Sequence, residues 1–348
     1  MTEVEVRASK TYRVLIGENL HKVSGDLVRD TCGGTAACVV CGDTVDGLYA
    51  GAVCGSLERS GYRTVKFVYP HGESSKNAGT YVTLLNFLAE NHLTRSDAVI
   101  ALGGGVTGDL AGFAAATYMR GIKYVQMPTT LLAMVDSSVG GKTGIDLDAG
   151  KNLAGAFWQP ELVICDCGAL ATLPDDTFRD GCAEIVKYAV LRDPGLLSML
   201  GAPRENAERL VSRCVSIKRD FVAADEFDRG ERQKLNLGHT VGHAVERLSD
   251  FSVSHGRAVA IGLAVVVRAA LAHGDCGADT AEAVLGALEK LGLPTKTSFT
   301  ADQLSEIMLS DKKRSGGSIN LIIPRALGEC GIETMPATAL KAYIEKGL

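Results

Sequence analysis

The chain has 348 residues, of which 46% are hydrophobic, 22% charged and 5% aromatic, with a formal net charge of −5. At about 150 residues per domain this length suggests two domains with a sizeable core, and the composition excludes intrinsic disorder and collagen-like structure. The negative balance argues against a general nucleic-acid binder, which needs a basic surface, while leaving room for a local cationic pocket.

The opening MTEVEVRASK lacks an apolar h-region, so no secretory signal is expected. Ten cysteines without such a signal point to reduced thiols in a cytoplasmic protein. Cys38 and Cys41 form a CxxC inside the apolar run AACVVC, which reads as a buried strand. A redox pair needs an exposed thiolate at a helix start, so the cysteines are read as inert. The apolar stretch from Ala258 to Val267 is about half of the ~20 residues needed to span a bilayer and reads as a buried helix, so no membrane partner is expected.

Up to about residue 170 short apolar runs alternate with helical segments. Thr35–Val40 ends in CGD, Arg63–Tyr69 in PHGE, Ala98–Leu102 in GGG, Tyr124–Met127 in PTT and Leu162–Cys165 in DCG. This is the pattern of an α/β domain with a mostly parallel sheet, whose ligands bind at the carboxyl ends of the strands. After TLPDD the strand signal nearly vanishes. The segments Thr177–Val190, Glu205–Ala224, Leu237–Leu248, Arg257–His273 and Asp279–Leu291 carry helical periodicity, and one late strand-like run, Ser318–Ile323, stops at Pro324. The expected architecture is a Rossmann-like α/β domain (1–170) followed by a mainly α-helical domain (171–348), with the active site between them.

Gly103, Gly105 and Gly108 satisfy GxGxxG between a strand and a helix. Such a turn brings backbone close to a pyrophosphate and aims a helix N-terminus at it, or it is only a tight strand–helix connection. The motif departs from the usual dinucleotide fingerprint, lying a hundred residues in with a lysine about 20 positions later. Two more strand-end loops favour a nucleotide: Glu73 and Lys76 in one, with a carboxylate suited to ribose hydroxyls, and Thr129 and Thr130 in the other.

In LGHTVGHAVE, His239 and His243 share one helix face, and His255 follows sixteen residues after His239. Glu184, in GCAEIVKYA, adds a carboxylate one helix earlier. Three imidazoles and a carboxylate suit a divalent metal with an open position. Spacing alone leaves open which histidines ligate and which handles protons. Lys142, Lys151, Lys187, Lys218, Arg232, Lys312 and Lys313 recur beside these segments, and their convergence would suit phosphate and carboxylate groups.

Taken together, GGGVTGDLAGFAAATYMRG, MPTTLLAMVDSSVGGKTGID, GKNLAGAFWQP, GCAEIVKYA, LNLGHTVGHAVE, HGRAVAIG and the late DKK resemble the 3-dehydroquinate synthase family over roughly residues 70 to 315. The resemblance implies conversion of the sugar acid phosphate DAHP into 3-dehydroquinate and phosphate. The steps would be transient oxidation, β-elimination, re-reduction, ring opening and intramolecular aldol closure, with NAD regenerated each cycle. It implies a homodimer, NAD and one divalent metal, Zn2+ or Co2+, with Glu184, His239 and His255 as ligands and His243 facing the substrate.

By the same resemblance, NAD would meet Asp43, Glu73, Lys76, the loop Gly105, Val106, Thr107, Gly108 and Asp109, and Thr129 and Thr130. Lys142 and Lys151 would lie between cofactor and substrate, with Asp136 nearby. Asn152, Lys187, Lys218, Arg232, Asn236, His243 and Lys312 would line the substrate pocket, and Arg120 would reach the substrate phosphate of the partner subunit. His71, Thr107 and Cys182 depart from the family pattern without removing chemistry. Three alternatives stand beside this reading: a related cyclase acting on another ketose or amino-sugar phosphate, a metal-dependent polyol dehydrogenase, and a non-catalytic nucleotide sensor. A neutral polyol would leave the cations without an anion, and a sensor would leave the Glu184–histidine set without a purpose.

Overall fold

The computed structural model describes residues 1–310 and 318–348. The chain forms two compact units: Met1–Leu173 with Ala207–Phe227, and Pro174–Asn206 with Asp228–Leu348. The helix Ala207–Ala224 thus belongs with the first unit, packed against its first two strands, although it follows the first helix of the second unit in sequence.

The first unit is built on a seven-stranded sheet. Its strands are β1 (Thr2–Arg7), β2 (Thr11–Gly17), β3 (Ala36–Gly42), β4 (Arg63–Tyr69), β5 (Ala98–Gly103), β6 (Lys123–Pro128) and, after an intervening hairpin, β9 (Leu162–Asp166). The order is β1-β2-β9-β6-β5-β3-β4, and every pairing except β1–β2 is parallel. The hairpin pairs β7 (Lys142–Leu147) with β8 (Gly150–Phe157), antiparallel.

A parallel sheet covered on both faces needs strands that are apolar on both sides. Along β3 every residue is buried: Val39 and Cys41 pack into the cluster with Val28, Val53 and Leu57, while Cys38 and Val40 pack into the other with Leu84, Leu88 and Leu110. Cys38 and Cys41 therefore point to opposite faces, and burial pushes the Cys41 thiol up to about 12. All ten cysteines are free thiols, nine of them buried and Cys54 half-buried. The chain winds from β3 outward to β4, then returns to β5 on the other side. This reversal opens a crevice at the carboxyl ends between β3 and β5, the favoured ligand position in such sheets.

The amino ends of β3 and β5 are tied by Asp97. Its buried carboxylate accepts N–H bonds from Thr35 (3.0 Å), Ala36 (2.8 Å) and Thr94 (2.7 Å), and the Thr94 hydroxyl (2.7 Å). Burial works against the charge, but these donors hold the carboxyl below its ordinary range. A depressed folded pKa contributes stability above the unfolded value that is lost as pH falls through the folded one. Asp97→Asn should therefore cost about 1–3 kcal/mol at neutral pH. In denaturant melts at successively lower pH, the gap to the parent should close once the carboxylate protonates; a gap that persists in acid would contradict this assignment.

The second unit is mainly helical, with Asp175–Leu191, His239–Leu248, His255–His273, Ala278–Lys290, Ala301–Ser310 and Ala337–Glu345 as its longer helices. It also carries an antiparallel hairpin of β10 (Ser318–Ala326) and β11 (Glu329–Pro336). Pro324 does not end β10. The pairing shifts register between Pro324 and Ala326, an irregularity that accommodates a residue with no N–H to donate. The helix His255–His273 is long and apolar enough to cross a membrane, but 72% of its most apolar 18-residue stretch is buried within the protein, so it is a core helix.

Candidate active site

In the first unit the carboxyl ends of the strands gather the residues expected to bind a nucleotide. The helix Gly105–Thr117 begins directly after β5, and no side chain caps it, leaving its first amides as donors for an anion. Gly108 packs closely: a Cβ there would lie 2.7 Å from Oε1 of the buried Gln126, whose side chain would have to shift. Thr107 turns inward, its hydroxyl 2.6 Å from the Tyr69 hydroxyl, so it offers a ligand backbone rather than side chain. Thr129 is buried with its N–H on the Gly103 carbonyl (2.9 Å), and the Thr130 hydroxyl accepts from the Ala133 N–H (3.2 Å). Asp43 follows β3, and its carboxylate lies 2.6 Å from His71 Nδ1.

Lys76 ties these loops to the β7–β8 hairpin. Its ammonium lies 2.6 Å from Asp109, 3.9 Å from Glu73 and 2.5 Å from the Asn152 side-chain oxygen. Burial works against the Lys76 charge, but Asp109 and Glu73 outweigh it and keep the side chain an ammonium. Lys151 approaches Glu73 at 3.8 Å, and Asn152, in the left-handed region (φ 56), donates its N–H to Asp146 (2.8 Å). Asp146 was not singled out in the sequence; its only signal was its place in GKTGID. Lys142 is exposed at the start of β7. Lys218, on Ala207–Ala224, donates to the Asp136 carbonyl (2.6 Å) and lies 3.1 Å from its carboxylate. Arg120 is exposed on a left-handed turn after the Gly105–Thr117 helix.

In the second unit Glu184, His239 and His255 converge, with one donor atom of each within 4.8 Å of the others. Helix crossing produces this. The helices His239–Leu248 and His255–His273 touch backbone to backbone, since a Cβ on Gly262 would sit 1.9 Å from the Gly238 carbonyl oxygen. Gly238 itself adopts φ 77 just before His239. Glu184 comes from the middle of Asp175–Leu191, fully buried, and its Oε1 lies 3.2 Å from His239 Nε2 and 3.3 Å from His255 Nε2. Tetrahedral ligands at 2.0–2.1 Å from a metal are separated by about 3.3 Å, so these spacings are those of a coordination shell's edge. The other ring nitrogens are engaged elsewhere, His239 Nδ1 with the Leu237 carbonyl (3.2 Å) and His255 Nδ1 with Glu246 (3.1 Å). Both rings thereby turn Nε2 toward Glu184. One carboxylate and two imidazoles fit Zn2+ or Co2+ as donors.

The charges agree. Burial works against the Glu184 charge, but Lys187, with Nζ 2.6 Å from Oε2, and the two histidines hold the carboxyl well below its usual range. Burial also works against a charge on His255, yet hydrogen bonds to Glu184 and Glu246 push its imidazole up to about 10. A field that retains a proton there also favours a dication. His243 is exposed, its ring centroid 5.5 Å from that of His239 and 5.9 Å from that of His255. The protein crowded around it and the charges of the other two histidines push it down to about 3, so it stays neutral. Arg232 is buried and Asn236 half-buried on the short helix Glu231–Asn236 that leads into His239. Lys312 and Lys313 lie outside the described residues.

A sheet edge built for a nucleotide and a carboxylate–imidazole cradle for a dication fit one class, the metal-using enzymes of nucleotide-dependent chemistry on small anions. Residues 66–180 match the family described as 3-dehydroquinate synthase N-terminal, and 181–314 the family described as 3-dehydroquinate synthase C-terminal. A 3-dehydroquinate synthase of Enterococcus faecalis is 42% identical over 316 residues, 88% of this chain and 88% of that protein. One of Streptococcus suis is 39% identical over 343 residues, 96% and 97% of the two chains. Among solved structures, a 2-epi-5-epi-valiolone synthase from Streptomyces hygroscopicus subsp. jinggangensis, with NAD+ and Zn2+ bound, is similar at TM-score 0.88 and 26% identity, covering 99% of this chain and 98% of that one.

The chain therefore belongs to the 3-dehydroquinate synthase family, with the fold of the sugar-phosphate cyclases. It is an enzyme, and its activity is the shikimate-pathway reaction of that family.

Proposed function

We propose that this enzyme turns DAHP into 3-dehydroquinate and phosphate, with catalytic NAD and one divalent ion, Zn2+ or Co2+, in each subunit. The observation that carries the metal assignment is the convergence of Glu184, His239 and His255 at ligand-to-ligand spacing. When bound, NAD supplies a reversible hydride acceptor and the ion acidifies the substrate hydroxyls it holds.

The chain's own residues do the rest. Asp43, Glu73 and Lys76, the amides from Gly105 to Asp109, Thr129 and Thr130 bind the cofactor, with Asp136 beside it. Lys142, Lys151, Lys187, Lys218, Arg232 and Lys312 hold the phosphate and carboxylate as fixed cations, and Asn152 and Asn236 orient hydroxyls through their amides. His243, neutral and accessible, faces the substrate and helps to fix its geometry. We further propose a cytoplasmic homodimer in which Arg120 reaches the partner's substrate phosphate; its exposure on a left-handed turn supports that role.

The test is one reaction tube of metal-loaded protein, DAHP and trace NAD. Phosphate and 3-dehydroquinate should appear in equal amounts, far exceeding the NAD present, with no net NADH. Inactivity on DAHP but turnover of another sugar phosphate would point to a related cyclase, and NADH accumulating in step with a polyol would point to a dehydrogenase.

A further inference from the structure

We propose that Glu246 is a positioning residue for the metal ligands: its carboxylate accepts the Nδ1–H of His255 and so fixes that ring with Nε2 turned toward Glu184. The inference rests on the metal reading above and deepens it.

Glu246 is 4% exposed, a carboxylate buried in a helix with no part in the proposed chemistry. Burying such a charge is costly unless a partner compensates. The contact at hand is His255 Nδ1, 3.1 Å from Oε2, on the ring whose Nε2 lies 3.3 Å from Glu184. The local chain is shaped to make this contact. Glu246 lies seven residues after His239, two helical turns along, and thus on the same face. Its carbonyl accepts from the Ser249 hydroxyl (2.9 Å) and the Phe251 N–H (2.8 Å), which closes the helix end. Asp250 (φ 50) and Phe251 (φ 59) then reverse the chain in the left-handed region, at a conformational cost for non-glycine residues, and lead it back to His255. Ser254, just before His255, is anchored separately by its hydroxyl bond to Asp180 (2.8 Å). His239 meets a neutral carbonyl at its Nδ1, whereas His255 meets a charged acceptor, which raises its basicity as a ligand.

The experiment titrates metal-free full-length protein with Co2+, following visible absorption, and with Zn2+ in competition with a chromophoric chelator. The parent should bind one ion per chain and His255→Ala should not; failure of either would sink the metal reading itself. With those satisfied, Glu246→Ala should weaken binding by about 10- to 100-fold and alter the Co2+ spectrum. Glu246→Gln keeps an acceptor oxygen without the charge and should fall between Ala and the parent. Should the alanine variant fail to fold, the glutamine variant decides alone. Any folded variant that binds Co2+ with parental affinity overturns the proposal. So does weakened binding with an unaltered Co2+ spectrum and an equal loss of metal-free stability, which would make Glu246 merely structural.

Discussion

Replacing His239 by alanine is expected to remove the bound metal and the activity together, with turnover of DAHP falling by about 10³-fold or more, the scale of losing metal assistance. His239 Nε2 lies 3.2 Å from Glu184 Oε1, and its Nδ1 is committed to the Leu237 carbonyl. Truncation thus removes one of the three donors that converge among the described residues and exposes the buried Glu184 carboxylate to an incomplete shell. His243→Ala, on the same helix face four residues on, should leave metal content at one ion per chain while lowering turnover. Elemental analysis of the two purified variants, beside DAHP turnover, settles the matter. Metal lost from the His243 variant and retained by the His239 variant would mean the two roles are exchanged.

The second large effect is expected at a residue that touches no ligand. Gly262→Ala places a Cβ 1.9 Å from the Gly238 carbonyl oxygen and 3.0 Å from the Gly242 nitrogen, all backbone atoms that cannot rotate away. The two helices must separate, at a cost near the upper end of overpacking, about 3 kcal/mol. That should lower the melting transition by roughly 5–10 °C and weaken metal binding, because His239 and His255 sit on either side of this crossing. Gly286, also inside a helix, has open space where its Cβ would go, and Gly286→Ala should be neutral or stabilising by up to about 1 kcal/mol. Equal melting of both variants would show that the helices do not cross at Gly262.

Much of the fold could be read directly. Five of the six parallel strands lie within two residues of where apolar runs bounded by turn residues placed them. Strands β3, β5 and β9 are buried along their whole length and have no polar positions to blur their ends, while the edge strand β4 is marked by the turn residues that bound it. Four helices of the second unit fit the periodicity almost as closely, Arg257–His273 being expected where His255–His273 is found, whereas Ala301–Ser310 and Ala337–Glu345 were not expected. What periodicity missed had mixed patterning. β1 and β2 are partly exposed, β7 and β8 are interrupted by glycines and charges, and β11 alternates around ECGIETMP. The return of Ala207–Ala224 to the first unit carried no local signal, since its apolar stripe is the same whichever sheet or helix it covers.

The site divides similarly. The residue types that the proposed chemistry needs, namely the strand-end glycines, the histidines, Glu184 and the recurring lysines, are written in order along the chain. Spacing placed His239 and His243 on one helical face but could not tell a ligand from a proton carrier. The structure adds that His239 Nδ1 meets the Leu237 carbonyl two residues back, and that Nε2 stands 3.2 Å from Glu184, on a helix distant in sequence. Glu246 was visible only as the last letter of LGHTVGHAVE. Its contact with His255 exists because two left-handed residues turn the chain back, and the neighbouring helices approach closely because two glycines meet across their crossing. The sequence by itself determined which chemical groups are present and which elements carry them. The tertiary structure alone decided which of those groups meet and at what distance, because ion-pair and ligand geometries depend on backbone approaches of a few tenths of an ångström that no local pattern encodes.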